Sequence, residues 1–113
     1  MRNMSFKLTE RQMRQRAKTV TRRLGWRFAV PGMCVRAVRQ CQGLKRGQKV
    51  EPICVIRFVA VAFEPLRWID PGDCVREGFP GLTPAKFVAM FCREMRCEPD
   101  ANVTRIEFEF CDE

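Results

Sequence analysis

The sequence predicts an α+β fold built on a small antiparallel sheet or barrel with flanking helices, and three observations lead there. Two apolar runs rich in β-branched residues, MCVRAVRQC (33–41) and ICVIRFVAVAF (53–63), have the length and composition of strands. The segment VTRIEFEF (103–110) alternates strictly, with Thr104, Ile106, Phe108 and Phe110 on one face and Arg105, Glu107 and Glu109 on the other, the pattern of a half-exposed strand. Helical signals lie among these strands without a repeated strand-helix-strand order, which argues against a parallel doubly wound sheet. At 113 residues the chain reads as a single domain, 1–113.

Each element has a local reason. T-E-R-Q at 9–12 is a capping-box pattern, in which Thr9 accepts from the amide three residues on and Gln12 reaches back, so a helix is expected over 9–17. The β-branched residues of KTVT disfavour its continuation, and Gly25 followed by Pro31-Gly32 marks loop and turn. Gly43 and Gly47 suit a long hairpin loop between the first two strands. The second run, interrupted by Arg57 alone, reads as a strand covered on both faces, with Cys54 a small core residue. Three prolines, at 65, 71 and 80, make the next segment mostly connection, with a short helix expected over 73–77. Thr83-Pro84 then supplies an N-cap and a proline at the first helical position of PAKFVAMFCREM, whose Phe87, Met90, Phe91 and Met95 form a core stripe.

Charge is the strongest functional signal. Residues 1–49 carry 14 Lys and Arg against Glu10 alone, a net of +13, whereas residues 50–113 carry 7 against 12 acids, a net of −5. Sixteen of the 21 basic residues are arginine, whose planar fork matches phosphate and stacks on bases, so a polyanionic partner is expected. The run AKTVTRRLGWRF (17–28) concentrates Lys18, Arg22, Arg23 and Arg27 with no acid among them, although a basic run also reads as a solvated surface. Trp26, Phe28 and Trp68 are candidate stacking platforms, or core.

Other classes are disfavoured. No apolar run reaches the roughly 18 residues needed to span a bilayer, and MRNMSFKLTE lacks the apolar stretch of a signal peptide, so a cytoplasmic location is expected. Seven cysteines, an odd number, are expected as free thiols. With no histidine and no CxxC pair, Cys92 and Cys97 form at best half a metal site, and neither metal nor cofactor is expected.

The runs KTVTRRLGWRF, PGMCV, GLKRGQKVEPI, EPLRWI and REGFPGLTPAKFVAMF together resemble the ASCH family, small domains of bacterial and phage genomes with a fold similar to the PUA RNA-binding barrel. The resemblance runs from about Phe6 to Phe110, and KTVTRR followed by REGFP is its most specific part. It implies a cleft that binds RNA or a nucleotide, lined by Arg16, Lys18, Arg22, Arg23, Trp26 and Arg27. Some members are amidohydrolases that deacetylate acetylcytidine with a lysine, a threonine three residues later and a glutamate; the matching residues are Lys18, Thr21 and Glu77. Where the family commonly has glycine two residues before the lysine, this chain has Arg16, which is expected to narrow or recharge the cleft.

The residues allow that chemistry independently. A threonine hydroxyl needs an adjacent base; Lys18 can serve if neighbouring cations such as Arg22 and Arg23 lower its pKa, and Glu77 can then relay a proton to the leaving amine. The same three residues also read as a structural group, with Lys18 paired to Glu77 and Thr21 a turn hydroxyl. Cleavage of RNA by Lys18 and Glu77 is a further enzymatic reading. A phage-type protein that occupies a host protein's nucleic-acid site is another, and it would use Arg36, Arg39, Lys45 and Arg46.

Overall fold

The structure, a computed structural model, describes residues 1–111. Five strands, β1 (Asn3–Ser5), β2 (Val20–Arg23), β3 (Cys34–Val38), β4 (Pro52–Pro65) and β5 (Asn102–Phe110), form one sheet in the order β1-β3-β4-β5-β2. Three α-helices accompany it: α1 (Glu10–Arg14), α2 (Pro71–Arg76) and α3 (Pro84–Met95). The expected all-antiparallel sheet is a mixed one, because β1 pairs parallel to β3 while the other three pairings are antiparallel. β1 and β2 escaped the sequence reading because neither NMS nor VTRR carries enough apolar residues to show a period.

β4 is the long central strand, with β3 on one side and β5 on the other, and its register with β5 shifts between Phe58 and Ala60. It is covered on one face rather than two: Ile56 and Phe58 are buried, whereas Val59 and Phe63 are exposed. Apolar residues at outward positions hid the alternation. The inner face packs Met4, Phe6, Val35, Phe58, Ile106 and Phe108 into the main core, and a second core gathers Leu66, Ile69, Cys74 and Val103 against Phe87 and Phe91 of α3. Thr83 caps α3 as expected, its hydroxyl accepting from the Lys86 amide at 3.2 Å.

The N-terminal helix departs from its prediction. Thr9 stands at the N-cap position without a side-chain cap hydrogen bond, and Gln12 donates to the Gly78 carbonyl at 3.2 Å instead of reaching back. α1 ends at Arg14, and the chain reverses at Arg16, whose φ of 57° is the left-handed conformation usual for a C-terminal glycine. Without a glycine, that stop was invisible in the sequence. Among the described residues, no helix is long and apolar enough to cross a membrane.

Candidate functional site

Residues of the sheet's two edge strands, β1 and β2, line one cavity of about 260 Å³. Ser5, Phe6 and Lys7 line it from the β1 side, and Lys18, Thr21, Arg22 and Arg23 from the β2 side. The Arg23 guanidinium lies 4.6 Å from the centre of the Phe6 ring. Glu77 closes the polar end, and Phe79 with Phe87, Met90, Phe91 and Met95 of α3 forms an apolar wall. The stripe read from the sequence as core is therefore divided: Phe87 and Phe91 are buried, Met95 is exposed, and the row lines the cavity.

The polar end is a buried ion cluster. Lys18 Nζ donates to Glu77 Oε1 at 2.7 Å and to the Glu77 carbonyl at 2.9 Å, and Arg22 Nη1 donates to Glu77 Oε2 at 3.1 Å. Lys18, Arg22 and Glu77 are each 3% exposed, so the pairing is what keeps three charges tolerable away from water. Burial, with Arg23 and Arg22 adding to it, holds the Lys18 ammonium below the ordinary lysine pKa, and the Glu77 carboxylate only partly offsets this. Burial likewise brings Arg23 down to about 10, which still leaves it charged at neutral pH.

Arg22 is engaged a second time behind the cavity. Its Nη2 donates to Asp73 Oδ2 at 2.5 Å and to Glu64 at 3.4 Å, and Arg76 and Arg105 also bond Asp73, at 2.9 Å and 2.7 Å. These donors, Arg105 first, hold the Asp73 carboxyl well below the usual carboxylate range. Arg22 Nε is buried with no hydrogen-bond partner among the described residues.

Local sequence explains how Glu77 is held. Asp70 caps α2 by accepting from the Asp73 amide at 2.7 Å, with Pro71 opening the helix, and Glu77 sits at its C-cap. The Thr19 amide donates to the Arg76 carbonyl at 2.8 Å, tying the approach to β2 onto the end of α2. Gly78 then turns with φ of 96°, and a Cβ there would stand 2.8 Å from Gln12 Cγ, so only glycine lets α1 lie against the residue following Glu77.

The structure thus brings together Lys18, Thr21, Arg22, Arg23 and Glu77. Thr21 is buried and lines the cavity, but its hydroxyl accepts from Arg23 Nε at 3.1 Å, while both hydrogen bonds described for Lys18 go to Glu77. Arg16, Trp26 and Arg27 lie outside the cavity. The Arg16 guanidinium stands 5.2 Å from the Phe110 ring centre, and Arg16 is not among the residues that line the cavity it was expected to narrow or recharge. Arg27 lies 5.6 Å from the Phe63 ring centre, and Trp26 packs beside Phe28 and Phe58. Sequence reasoning missed Asp73, Glu64 and Arg105. The spacing of Asp73 and Glu77, four apart and therefore on one helical face, was the available signal.

No family model matches the sequence, and no curated protein matches it significantly. Solved structures do match it in shape. A crystal structure of an Enterococcus faecalis V583 protein of the family DUF984 superposes with a TM-score of 0.70 at 15% identity, covering 98% of this chain and 80% of that one. The crystal structure of an ASCH domain from Lactobacillus crispatus JV V101 superposes with a TM-score of 0.61 at 14% identity, covering 96% of this chain and 77% of that one. Near-complete coverage of this chain in both cases, at TM-scores of 0.70 and 0.61, means that this chain has the fold of an ASCH domain.

Proposed function

We propose that the chain binds RNA or a nucleotide by taking one base into the cavity between β1 and β2. The observation that carries this reading is the cavity's division: an apolar wall of Phe79, Phe87 and Phe91 faces a hydrogen-bonding floor of Lys18, Thr21 and Glu77. A base has those two requirements, a flat face to be packed and polar edges to be met. At about 260 Å³ the cavity lies just under the roughly 300 Å³ at which drug-sized sites begin, which suits one ring system rather than a polymer. Arg23 and Lys7 at its margin supply positive charge for a phosphate. Arg22 has a different role: three carboxylates occupy its guanidinium, so it positions Glu77 instead of contacting phosphate. Calorimetric titration with cytidine monophosphate at low salt is the test. Lys18→Met should weaken binding at least tenfold, the scale of one hydrogen bond to a charged group; unchanged affinity would reject the cavity as the site.

A hydrolytic reading is favoured by one observation, the lowered pKa of Lys18 beside Thr21 and Glu77 in one cavity. For deacetylation of acetylcytidine, a neutral Lys18 would take the Thr21 proton as the hydroxyl attacks the acyl carbon, Glu77 would relay that proton to the amine as the C–N bond breaks, and water would then hydrolyse the acetyl ester on Thr21 to release acetate and restore the hydroxyl. The Thr21 hydroxyl must first turn from Arg23 toward Lys18. Turnover of acetylcytidine that falls on the order of a hundredfold in Thr21→Val and Lys18→Ala would establish it; an inactive wild type that still binds nucleotide would leave a binding module. Cleavage of a mixed RNA pool, assayed alongside, tests the ribonuclease reading.

A further inference from the structure

Beside the base cavity lies a second depression of about 430 Å³, and the two share Ser5, Lys7 and Arg23 as common wall. Its character is different. Where the first is walled by phenylalanines, the second is lined by the amides of Asn3, Gln40 and Gln42 and by Trp26, and its charged lining residues, Lys7 and Arg23, are both cations. Arg23 uses Nε for Thr21, and among the described residues its two Nη groups have no hydrogen-bonding partner. Gln40 Nε2 donates to the Gln42 carbonyl at 2.7 Å, at the start of the loop between β3 and β4.

Trp26 is held there under strain. Its φ of 61° is rare for a bulky side chain, and such conformations persist where surrounding contacts enforce them. The ring is gripped at 6.2 Å by Phe58 from the core and at 5.0 Å by Phe28, while part of it still lines the depression.

We propose that this depression holds the nucleotide adjacent to the one in the cavity, so that the ligand is a single strand of at least two nucleotides rather than a free nucleotide. Trp26 offers the second base a stacking face, the amides of Gln40 and Gln42 meet its polar edge, and Lys7 and Arg23, standing between the two depressions, take the phosphate that joins them. The proposal rests on base binding in the cavity, and the test separates the two. Cytidine monophosphate and the dinucleotide pCpC are titrated calorimetrically at low salt into the wild type, Trp26→Leu and Gln42→Glu.

The wild type should bind pCpC about tenfold or more tightly than the mononucleotide, the scale of one base stacked on an aromatic ring. Each variant should lose most of that advantage while binding the mononucleotide as before. Gln42 is exposed on a loop, so its variant carries the test if Trp26→Leu fails to fold. Equal wild-type affinity for both ligands overturns the second position and leaves the cavity reading standing. An advantage that survives both variants overturns the placement, and binding of neither ligand overturns the cavity reading and this inference together.

Discussion

Arg22 and Arg23 are neighbours on β2 and opposites in their surroundings. Arg22 is 3% exposed and meets Glu64, Asp73 and Glu77, whereas Arg23 meets an aromatic ring and a threonine hydroxyl. Strand alternation turns the two side chains to opposite faces, so one enters the acids of α2 and β4 and the other meets Phe6. The contrast shows how the +13 of residues 1–49 is divided. Part of it is neutralised internally by acids of the second half, with Lys18 and Arg22 as the clearest cases. Arg23, by contrast, has no carboxylate among its described hydrogen-bond partners.

The sharpest way to break the closed side is to remove its shared acid. Glu77→Ala leaves Lys18 buried with the carbonyl as its remaining described acceptor, and takes one carboxylate from Arg22. Breaking a buried pair on one side costs about 3–5 kcal/mol, so urea unfolding should show a loss of that order. Adding Lys18→Met should recover a substantial part of it, because an apolar replacement of both partners removes the uncompensated charge. A double variant no more stable than Glu77→Ala would mean that the cluster is not organised around this pair. Gly78→Ala should come next, at roughly 1 kcal/mol or more, since alanine at positive φ is strained and its Cβ meets Gln12. Its stability, measured beside that of Gln12→Ala/Gly78→Ala, separates the contact with Gln12 Cγ from the backbone strain and the remaining contact with the Cβ at position 12.

Legibility in the sequence followed the same division. Elements whose signal is local were readable: the Thr83-Pro84 start of α3, the alternation of β5, and the hairpin joining β3 to β4. Lys18, Thr21 and Glu77 came from motif resemblance, and the fold places all three on one cavity. What could not be read depends on contacts distant in the chain. β1 has three residues and owes its existence to parallel pairing with β3. Asp73 holds Arg22 across 51 positions, and Gly78 is required because Gln12, 66 positions earlier, packs against it. Arg22, expected from the resemblance to line a nucleic-acid cleft, takes its environment from acids that no local pattern places beside it.

Acid should open the closed side from behind. The Asp73 carboxyl is held below its ordinary value of 3.8 by Arg105, Arg22 and Arg76, so the folded form binds its proton less readily than the unfolded chain. A carboxyl depressed in the folded state contributes stability that is fully present above the unfolded value and is lost as pH falls toward the folded one. Stability measured by urea unfolding should therefore decline as pH is lowered below about 4. Asp73→Asn should be less stable at neutral pH and should show a flatter decline. An unchanged acid profile in Asp73→Asn would place the acid sensitivity elsewhere.

The smallest expected effect tests the open side, and it distinguishes a cation that meets phosphate from one that holds a fold. Each phosphate neutralised on a single strand contributes about 0.7 to the slope of log affinity against log salt. Because Lys7 and Arg23 share one phosphate, Arg23→Gln and Lys7→Gln together should lower that slope by about 0.7 for a short RNA and each alone by less, with little change in melting temperature for exposed Lys7. Arg22→Gln should behave in the reverse manner: the fold loses stability because Asp73 and Glu77 lose a shared donor, while the salt slope of whatever protein remains folded is unchanged. The loop cations Lys45 and Arg46 provide the control, being exposed and outside both depressions. If their replacement lowers the slope more than that of Arg23 or Lys7, the strand runs along the β3–β4 loop and the cavity between β1 and β2 is not its path. If none of the four changes the slope, the charge of the N-terminal half serves a partner other than RNA, and the host-protein reading built on Arg36, Arg39, Lys45 and Arg46 takes precedence.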